Sequence, residues 1–289
     1  PKMLKAKLTA EIGCNHKGEI QLARDLILKV KQCGADVAKF QKRNNKLLLT
    51  EEQYNAPHPN PSNSYGSTYG AHREFLEFNL VQHTELKKYC EEIGITYCTS
   101  VWDEISANEI IQLNPDFIKV AYACNNNYGL LKILRDEYEG DVHISTGMTT
   151  LDEIESVILF FEEKSMSKNK IVLYACTSGY PVPFEDICLL EISRLKKKYE
   201  GRVKNIGFSG HHLGIAVDMA AYVLGAEWIE RHFTLDRTWK GTDHAASLEP
   251  NGLEKLARDL NVIHKSLSYK TKEILNIEEA QREKLKNRK

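Results

Sequence analysis

The sequence predicts an α/β fold, a (β/α)8 barrel of the TIM type. Short strand-like runs alternate with longer segments of helical period, and eight such pairs fit along the chain. The strand runs are mostly unbroken apolar stretches, as suits parallel strands covered on both faces. The 289 residues match one barrel of about 250 residues with a short tail. An open doubly wound sheet is the rival. No glycine-rich dinucleotide turn follows the first run, and eight repeats are the number that closes a barrel.

The strand runs fall at 4–11, 36–41, 95–100, 117–121, 141–146, 170–177, 205–210 and 227–233. Between them lie the helical segments. Over 20–33, Ile20, Ala23, Leu26, Ile27 and Val30 form one apolar stripe. Similar stripes run over 151–163 and 214–224, and a helix is expected near 83–93. Gly34, Gly94 and Gly225 each stand just ahead of a strand, where a glycine caps a helix and turns the chain. One connector breaks the pattern. Residues 42–82 are too long for a simple link, and 55–70 are dense in Pro, Ser, Asn, Gly and Tyr. The segment leaves the C-terminal face, where barrel active sites sit, so a substrate-covering loop is expected; an oligomer contact or a disordered insertion is the plainer alternative. The expected organisation is a barrel domain over 1–267 and a polar surface helix or linker over 268–289.

Composition narrows the function classes. The hydrophobic fraction of 42% and charged fraction of 27% suit a globular protein with a large core. A net charge of -1 supplies no global basic field, so neither nucleic acid nor an acidic membrane is expected as partner. The seven cysteines contain no C-x-x-C pair, and several lie in apolar runs. Reduced, buried thiols and a cytoplasmic location are expected. No stretch has the layout of a signal peptide or reaches the ~18 apolar residues of a membrane span.

The informative residues end the strands: Glu11; Lys39 and Gln41; Thr99; Lys119; Ser145; Thr177 and Ser178, with Tyr180 just beyond; Ser209 and His211; Glu230, Arg231 and His232. Charges inside apolar strands are costly without partners, and a shared ligand at the barrel mouth supplies one. Two lysines, several hydroxyls and a glycine turn suit a phosphate or carboxylate. His211 and His232 end adjacent strands about 5 Å apart, close enough to share a divalent cation; hydrogen-bonded core histidines are the alternative. His212 should point elsewhere, and Glu230 and Arg231 are expected to pair with partners and orient His232.

With these residues in place, the chain resembles the sialic acid (N-acetylneuraminate) synthase family. The resemblance rests on Ala-Glu-Ile-Gly-Cys-Asn-His-Lys-Gly (10–18), Val-Ala-Lys-Phe-Gln (37–41), His-Ile-Ser-Thr-Gly-Met (143–148), Cys-Thr-Ser-Gly-Tyr-Pro (176–181), Ile-Gly-Phe-Ser-Gly-His (206–211), Glu-Arg-His-Phe-Thr (230–234) and Gly-Thr-Asp-His-Ala-Ala-Ser-Leu (241–248). It spans about residues 8–262 in order. It implies a transferase that joins phosphoenolpyruvate to an N-acylated amino-sugar aldehyde of the N-acetylmannosamine type and releases phosphate. The implied cofactor is Mn²⁺ or Mg²⁺, held by His211 and His232. The resemblance further implies that Lys39, Lys119, Ser145 and Ser209 contact phosphoenolpyruvate, with Thr99 and Ser178 close by, and that Glu11 is an essential carboxylate. Gln41, Tyr180 and Asp243 fall on the sugar side. A homodimer is expected.

Several positions depart from the family pattern. After Lys119, a serine is replaced by Tyr122 and a glutamate by Cys124; Gly210 stands where an aspartate is common. Many members also carry a C-terminal antifreeze-like domain, and this sequence ends about where that domain would begin, so a short form, a chain cut before that domain, or a domain supplied by a separate chain is expected. Three alternatives remain. The aldehyde carries a 6-phosphate, met by Lys42, Arg43 and Arg73; the barrel is a metal-dependent aldolase or hydrolase that works without phosphoenolpyruvate; or it binds phosphoenolpyruvate or sugar without turnover.

Overall fold

The computed structural model describes residues 3–286. Eight parallel strands close into a barrel in sequence order: β1 (Lys7–Glu11), β2 (Val37–Lys42), β3 (Thr96–Val101), β4 (Phe117–Val120), β5 (Asp141–Ser145), β6 (Ile171–Cys176), β7 (Asn205–Gly210) and β8 (Trp228–His232). β1 and β8 seal it, pairing Lys7 with Trp228 and Glu11 with His232. The fold class is the one the sequence predicts, although β1 starts three residues later than expected, at Lys7.

Eight helices cover the outside: α1 (Ile20–Cys33), α5 (Leu80–Ile93), α6 (Glu104–Ile111), α7 (Tyr128–Glu137), α8 (Leu151–Glu162), α9 (Leu190–Tyr199), α10 (Ala216–Val223) and α11 (Pro250–Ser266). The stripe on α1 buries Ala23, Leu26, Ile27 and Val30 against the sheet. Truncating Leu26 to alanine would cost about 2–5 kcal/mol through lost transfer energy and the cavity left behind. Gly34 and Gly94 cap α1 and α5 in the left-handed conformation, at φ 97° and 80°. Reciprocal side-chain caps, Asn79 with Gln82 and Thr150 with Glu153, start α5 and α8.

Two features differ from the expectation. Residues 42–82 are not one loop but carry α2 (Asn45–Leu48), α3 (Glu51–Asn55) and α4 (Tyr69–Leu76). Short polar caps at Asn44, Thr50 and Thr68 start them, a signal that the Pro- and Gly-rich composition obscures. The tail forms α12 (Asn276–Lys286), which buries no residue; residues 287–289 of the expected tail, and residues 1 and 2 of the expected barrel domain, lie outside the described residues. Among the described residues no helix is long and apolar enough to cross a membrane.

Strand alternation sorts the side chains. Leu8, Ala10, Ala38, Phe40 and Ile118 join the large core between strands and helices. Val37, Cys98 and Phe117, with Trp228, close the barrel's lower interior. One layer up, the interior turns polar.

Candidate active site

At the strands' C-terminal ends opens a cavity of about 530 Å³. Its floor holds four buried charges. Lys39 Nζ lies 2.7 Å from Glu11 Oε2 and 3.3 Å from Glu230 Oε1, and Lys119 Nζ lies 3.3 Å from that same Glu230 oxygen. Ser209 Oγ donates to Glu230 Oε2 at 3.0 Å, and Gln41 Nε2 donates to Glu11 Oε1 at 2.8 Å. Strand register brings these groups together, since Glu11 pairs with Lys39 across β1–β2 and Ser209 with Glu230 across β7–β8. The environments push the two carboxyls apart. Burial raises Glu11 above the ordinary carboxylate value, although Lys39 pulls the other way. Burial also opposes charge on Glu230, but Lys119 and Lys39 outweigh it and hold that carboxyl well below the usual range. Burial lowers Lys119. Ser145 and Cys176 form the adjoining wall, with Asn125 Nδ2 bonded to the Ser145 carbonyl at 2.9 Å.

His211 and His232 face each other beside this floor, ring centroids 5.3 Å apart. Burial, then the neighbouring His232, lowers His211 to about 3, so its imidazole is neutral. His211 Nδ1 lies 3.3 Å from the Thr177 carbonyl, which fixes that nitrogen as a donor and leaves Nε2 free. His232 Nδ1 is buried without a hydrogen-bond partner; Asp243 Oδ2 is 3.9 Å away. The Tyr180 ring packs 4.5 Å from His211. Among the described residues no group of three or more His, Cys, Asp or Glu is gathered to hold a metal ion. Two facing imidazoles, that of His232 with an orphaned Nδ1, fit a divalent ion that leaves positions open to substrate.

The roof comes from the 42–82 segment and from the loop after β8. Tyr65 reaches the Lys240 carbonyl, and Gly241 N donates to Asn63 Oδ1 at 3.4 Å, so the two loops meet across the cavity. Under them sit two guanidiniums. Arg43 stacks on Trp102 at 3.5 Å and donates to Gln41 Oε1 at 2.6 Å. Both terminal nitrogens of Arg73 lie 3.6 Å from Cys14 Sγ. Both Nε atoms are buried without partners. Among the described residues neither guanidinium pairs with a carboxylate; Glu77, the nearby acid, takes Lys42 Nζ at 3.2 Å. Burial, then Arg73, lowers Arg43 to about 10.

Glu11, Lys39, Gln41, Lys119, Ser145, Tyr180, Ser209, His211, His232 and Asp243 all line this one cavity. Four expectations need correction. Thr99 is fully buried on the helix side of β3 and donates to the Ser100 carbonyl, because alternation turns its neighbour Ser100 inward instead. Ser178 lies outside the cavity and bonds the Tyr122 hydroxyl at 3.1 Å. Arg231 does not orient His232: it points out of the barrel, donating to Asp218 Oδ2 at 2.6 Å and to the Gly214 carbonyl at 2.7 Å. Glu230 holds the lysines rather than an imidazole. His212 does point away, to Asp218. Lys42 turns outward to Glu77, leaving Arg43 and Arg73 as the cationic pair. Tyr122 lines the cavity, while Cys124 is buried behind it. Sequence reasoning missed Ser100, Cys14 and His72 as lining residues. Strict period-2 counting from Cys98 would have found Ser100.

Comparison with known proteins places this geometry. The NeuB family model matches residues 26–272. Human N-acetylneuraminate-9-phosphate synthase is 40% identical over 278 residues, 96% of this chain and 76% of that protein. The N,N'-diacetyllegionaminic acid synthase of Campylobacter jejuni is 31% identical over 265 residues, 92% of this chain and 78% of that one. The crystal structure of the sialic acid synthetase of Leptospira borgpetersenii serovar Hardjo-bovis, in complex with citrate, superposes with a TM-score of 0.81 at 29% identity, covering 99% of this chain and 94% of that one. The chain, a closed eight-stranded barrel with its charged strand ends gathered in one cavity, therefore belongs to the NeuB family of sialic acid synthases.

Proposed function

We propose that this protein is a phosphoenolpyruvate-dependent, carbon–carbon bond-forming transferase that builds a sialic-acid-type nonulosonate from an amino-sugar aldehyde. The observation that carries the proposal is the floor: two buried lysines on separate strands, tied through one glutamate and opening onto a single cavity. Buried charges held this way are costly unless a ligand uses them, and a small dianion with a phosphate and a carboxylate suits two ammonium groups flanked by serine hydroxyls.

In the reaction, carbon 3 of phosphoenolpyruvate bonds to the aldehyde carbon, whose oxygen takes a proton. Water adds at carbon 2, and the resulting tetrahedral carbon expels inorganic phosphate to leave a ketone. Lys39 and Lys119 bind the phosphate and carboxylate and offset the charge that moves onto the leaving group. Ser145 donates to the same oxygens, and the Ser209 hydroxyl turns from Glu230 to join it when substrate is bound. Glu11, raised by burial and steadied by Lys39 and Gln41, takes the proton of the attacking water, a task best done by a group whose proton affinity is brought toward neutrality. His211 and His232 would hold a divalent ion, Mn²⁺ or Mg²⁺, which when bound supplies Lewis-acid polarisation of the aldehyde. Tyr180 and Asp243 shape the sugar side.

One observation favours a phosphorylated aldehyde. Arg43 and Arg73 bring two guanidiniums without a carboxylate counter-ion to the sugar end, each with an orphaned buried Nε. An uncompensated pair of this kind suits a phosphate monoester. The relative's name, a 9-phosphate synthase, agrees with that assignment.

The test is phosphate release from phosphoenolpyruvate with Mn²⁺ and a panel of N-acetylmannosamine, its 6-phosphate, mannose and a 2,4-diacetamido-6-deoxymannose. Release that needs both metal and the 6-phosphate supports the whole proposal. Release with the unphosphorylated sugar alone removes the role given to Arg43 and Arg73. No release with any aldehyde, despite phosphoenolpyruvate binding, points to a binding barrel.

A further inference from the structure

Beneath the floor lies a buried polar contact that the chemistry above does not use. Lys119 Nζ sits 3.5 Å from the centroid of the Tyr174 ring. The Tyr174 hydroxyl lies 2.7 Å from His143 Nδ1. Both residues are inside the barrel and essentially without solvent exposure. His143 is itself fixed, stacked on Phe117 at 4.0 Å and met edge-on by Trp228 at 4.7 Å. Gly207 makes the space: a Cβ there would come within 2.8 Å of the Tyr174 ring.

We infer that Tyr174, oriented by His143, is a positioning residue that sets Lys119 for phosphoenolpyruvate; this rests on Lys119 contacting that substrate. Lys119 is a flexible side chain with three donors, yet its polar contact is a single long one to Glu230. A second carboxylate would hold it better but would cancel the charge the substrate needs. An aromatic face does otherwise. Its quadrupole attracts the ammonium while leaving the full positive charge and the N–H donors directed upward. Buried Tyr hydroxyls need a partner, and the Tyr174 hydroxyl finds it in His143 Nδ1 at 2.7 Å. That bond fixes the tilt of the ring. Among the described residues Lys39 has no such platform and instead takes the short bond to Glu11. The two lysines are thus held by different means: Lys39 by two carboxylates, Lys119 by one carboxylate at 3.3 Å and the face of a ring.

The test is phosphoenolpyruvate binding by calorimetry without aldehyde, beside steady-state KM values for both substrates. Tyr174→Leu is expected to raise the phosphoenolpyruvate Kd about tenfold and to leave the aldehyde KM within twofold. Tyr174→Phe, which keeps the ring face, should restore the Kd to within about threefold of the parent. In a Lys119→Met background, Tyr174→Leu should have no further effect. Equal Kd values for the Leu and Phe variants, or aldehyde and phosphoenolpyruvate KM rising together, would overturn the inference. If Lys119→Met leaves the Kd unchanged, the assignment of Lys119 itself fails, an outcome distinct from the first. Should Tyr174→Leu not fold, fluorinated phenylalanines at position 174 grade the ring quadrupole at nearly constant shape. A Kd that rises with fluorination supports the platform, and a flat series overturns it.

Discussion

The floor and roof of the cavity handle positive charge in opposite ways. On the floor, Lys39 and Lys119 are strand residues matched by Glu11 and Glu230, so the four formal charges cancel. In the roof, Arg43 and Arg73 lie in the 42–82 region without a matching carboxylate, against sulfur, amide and indole partners. The floor is rigid and balanced, suited to chemistry in which charge moves and protons shift. The roof is unbalanced, suited to capturing a fixed anion that takes no part in bond making. Two anionic groups entering one cavity can thus be told apart by how their cations are compensated.

The largest effect should come from the floor. Glu11→Gln keeps the hydrogen-bonding shape but cannot accept a proton; turnover should fall about 10²–10⁴-fold with phosphoenolpyruvate binding retained by calorimetry. Turnover that persists would strip Glu11 of its role and make the floor a binding device only. Next comes the roof. Arg73→Met should lower kcat/KM for the phosphorylated aldehyde about 100-fold, as loss of a charge-assisted contact does, while the phosphoenolpyruvate KM moves less than twofold. If both KM values rise, the two regions are not separable.

Acid probes the balance further. Burial holds His83 at about 3 and His143 well below its ordinary value. The folded state therefore refuses a proton that the unfolded chain accepts below about pH 6.5. The stability these groups contribute is complete above that pH and is lost as pH falls toward the folded values, by at most about 1.4 kcal/mol per pH unit for each imidazole. Urea unfolding between pH 7 and pH 4 should show this decline, with a shallower slope in His143→Val. The smallest effect is expected at Thr99. Thr99→Val should change either KM less than twofold, whereas Ser100→Ala, on the cavity side, should be felt in one of them.

The Thr99 and Ser100 pair also shows what a sequence discloses here. The barrel was legible because eight apolar runs and their glycine stops repeat a local rule. The gathering of Glu11, Lys39, Lys119, His211 and His232 at one cavity was legible because polar and charged residues in apolar strands stand out. Facing was not, since a one-residue shift in counting sends a side chain to the other face, and a hydroxyl serves either environment. Arg231 misled for the same reason: beside His232 in sequence, it points through the opposite face to Asp218. The contacts of Glu230 and Tyr174 were hidden for another reason. Their partners lie on strands far away in the chain, and no local pattern encodes a long-range pairing.

The seam between β1 and β8 has a consequence for synthesis. Glu11 is made long before His232 and meets it only when β8 arrives; the Tyr65 contact with Lys240 comes later still. A nascent chain emerging from the ribosome has no enclosed reaction chamber until residues past 240 have left the exit tunnel. Partial products of translation should therefore be inert toward substrate, and ligand binding should report completion of the barrel.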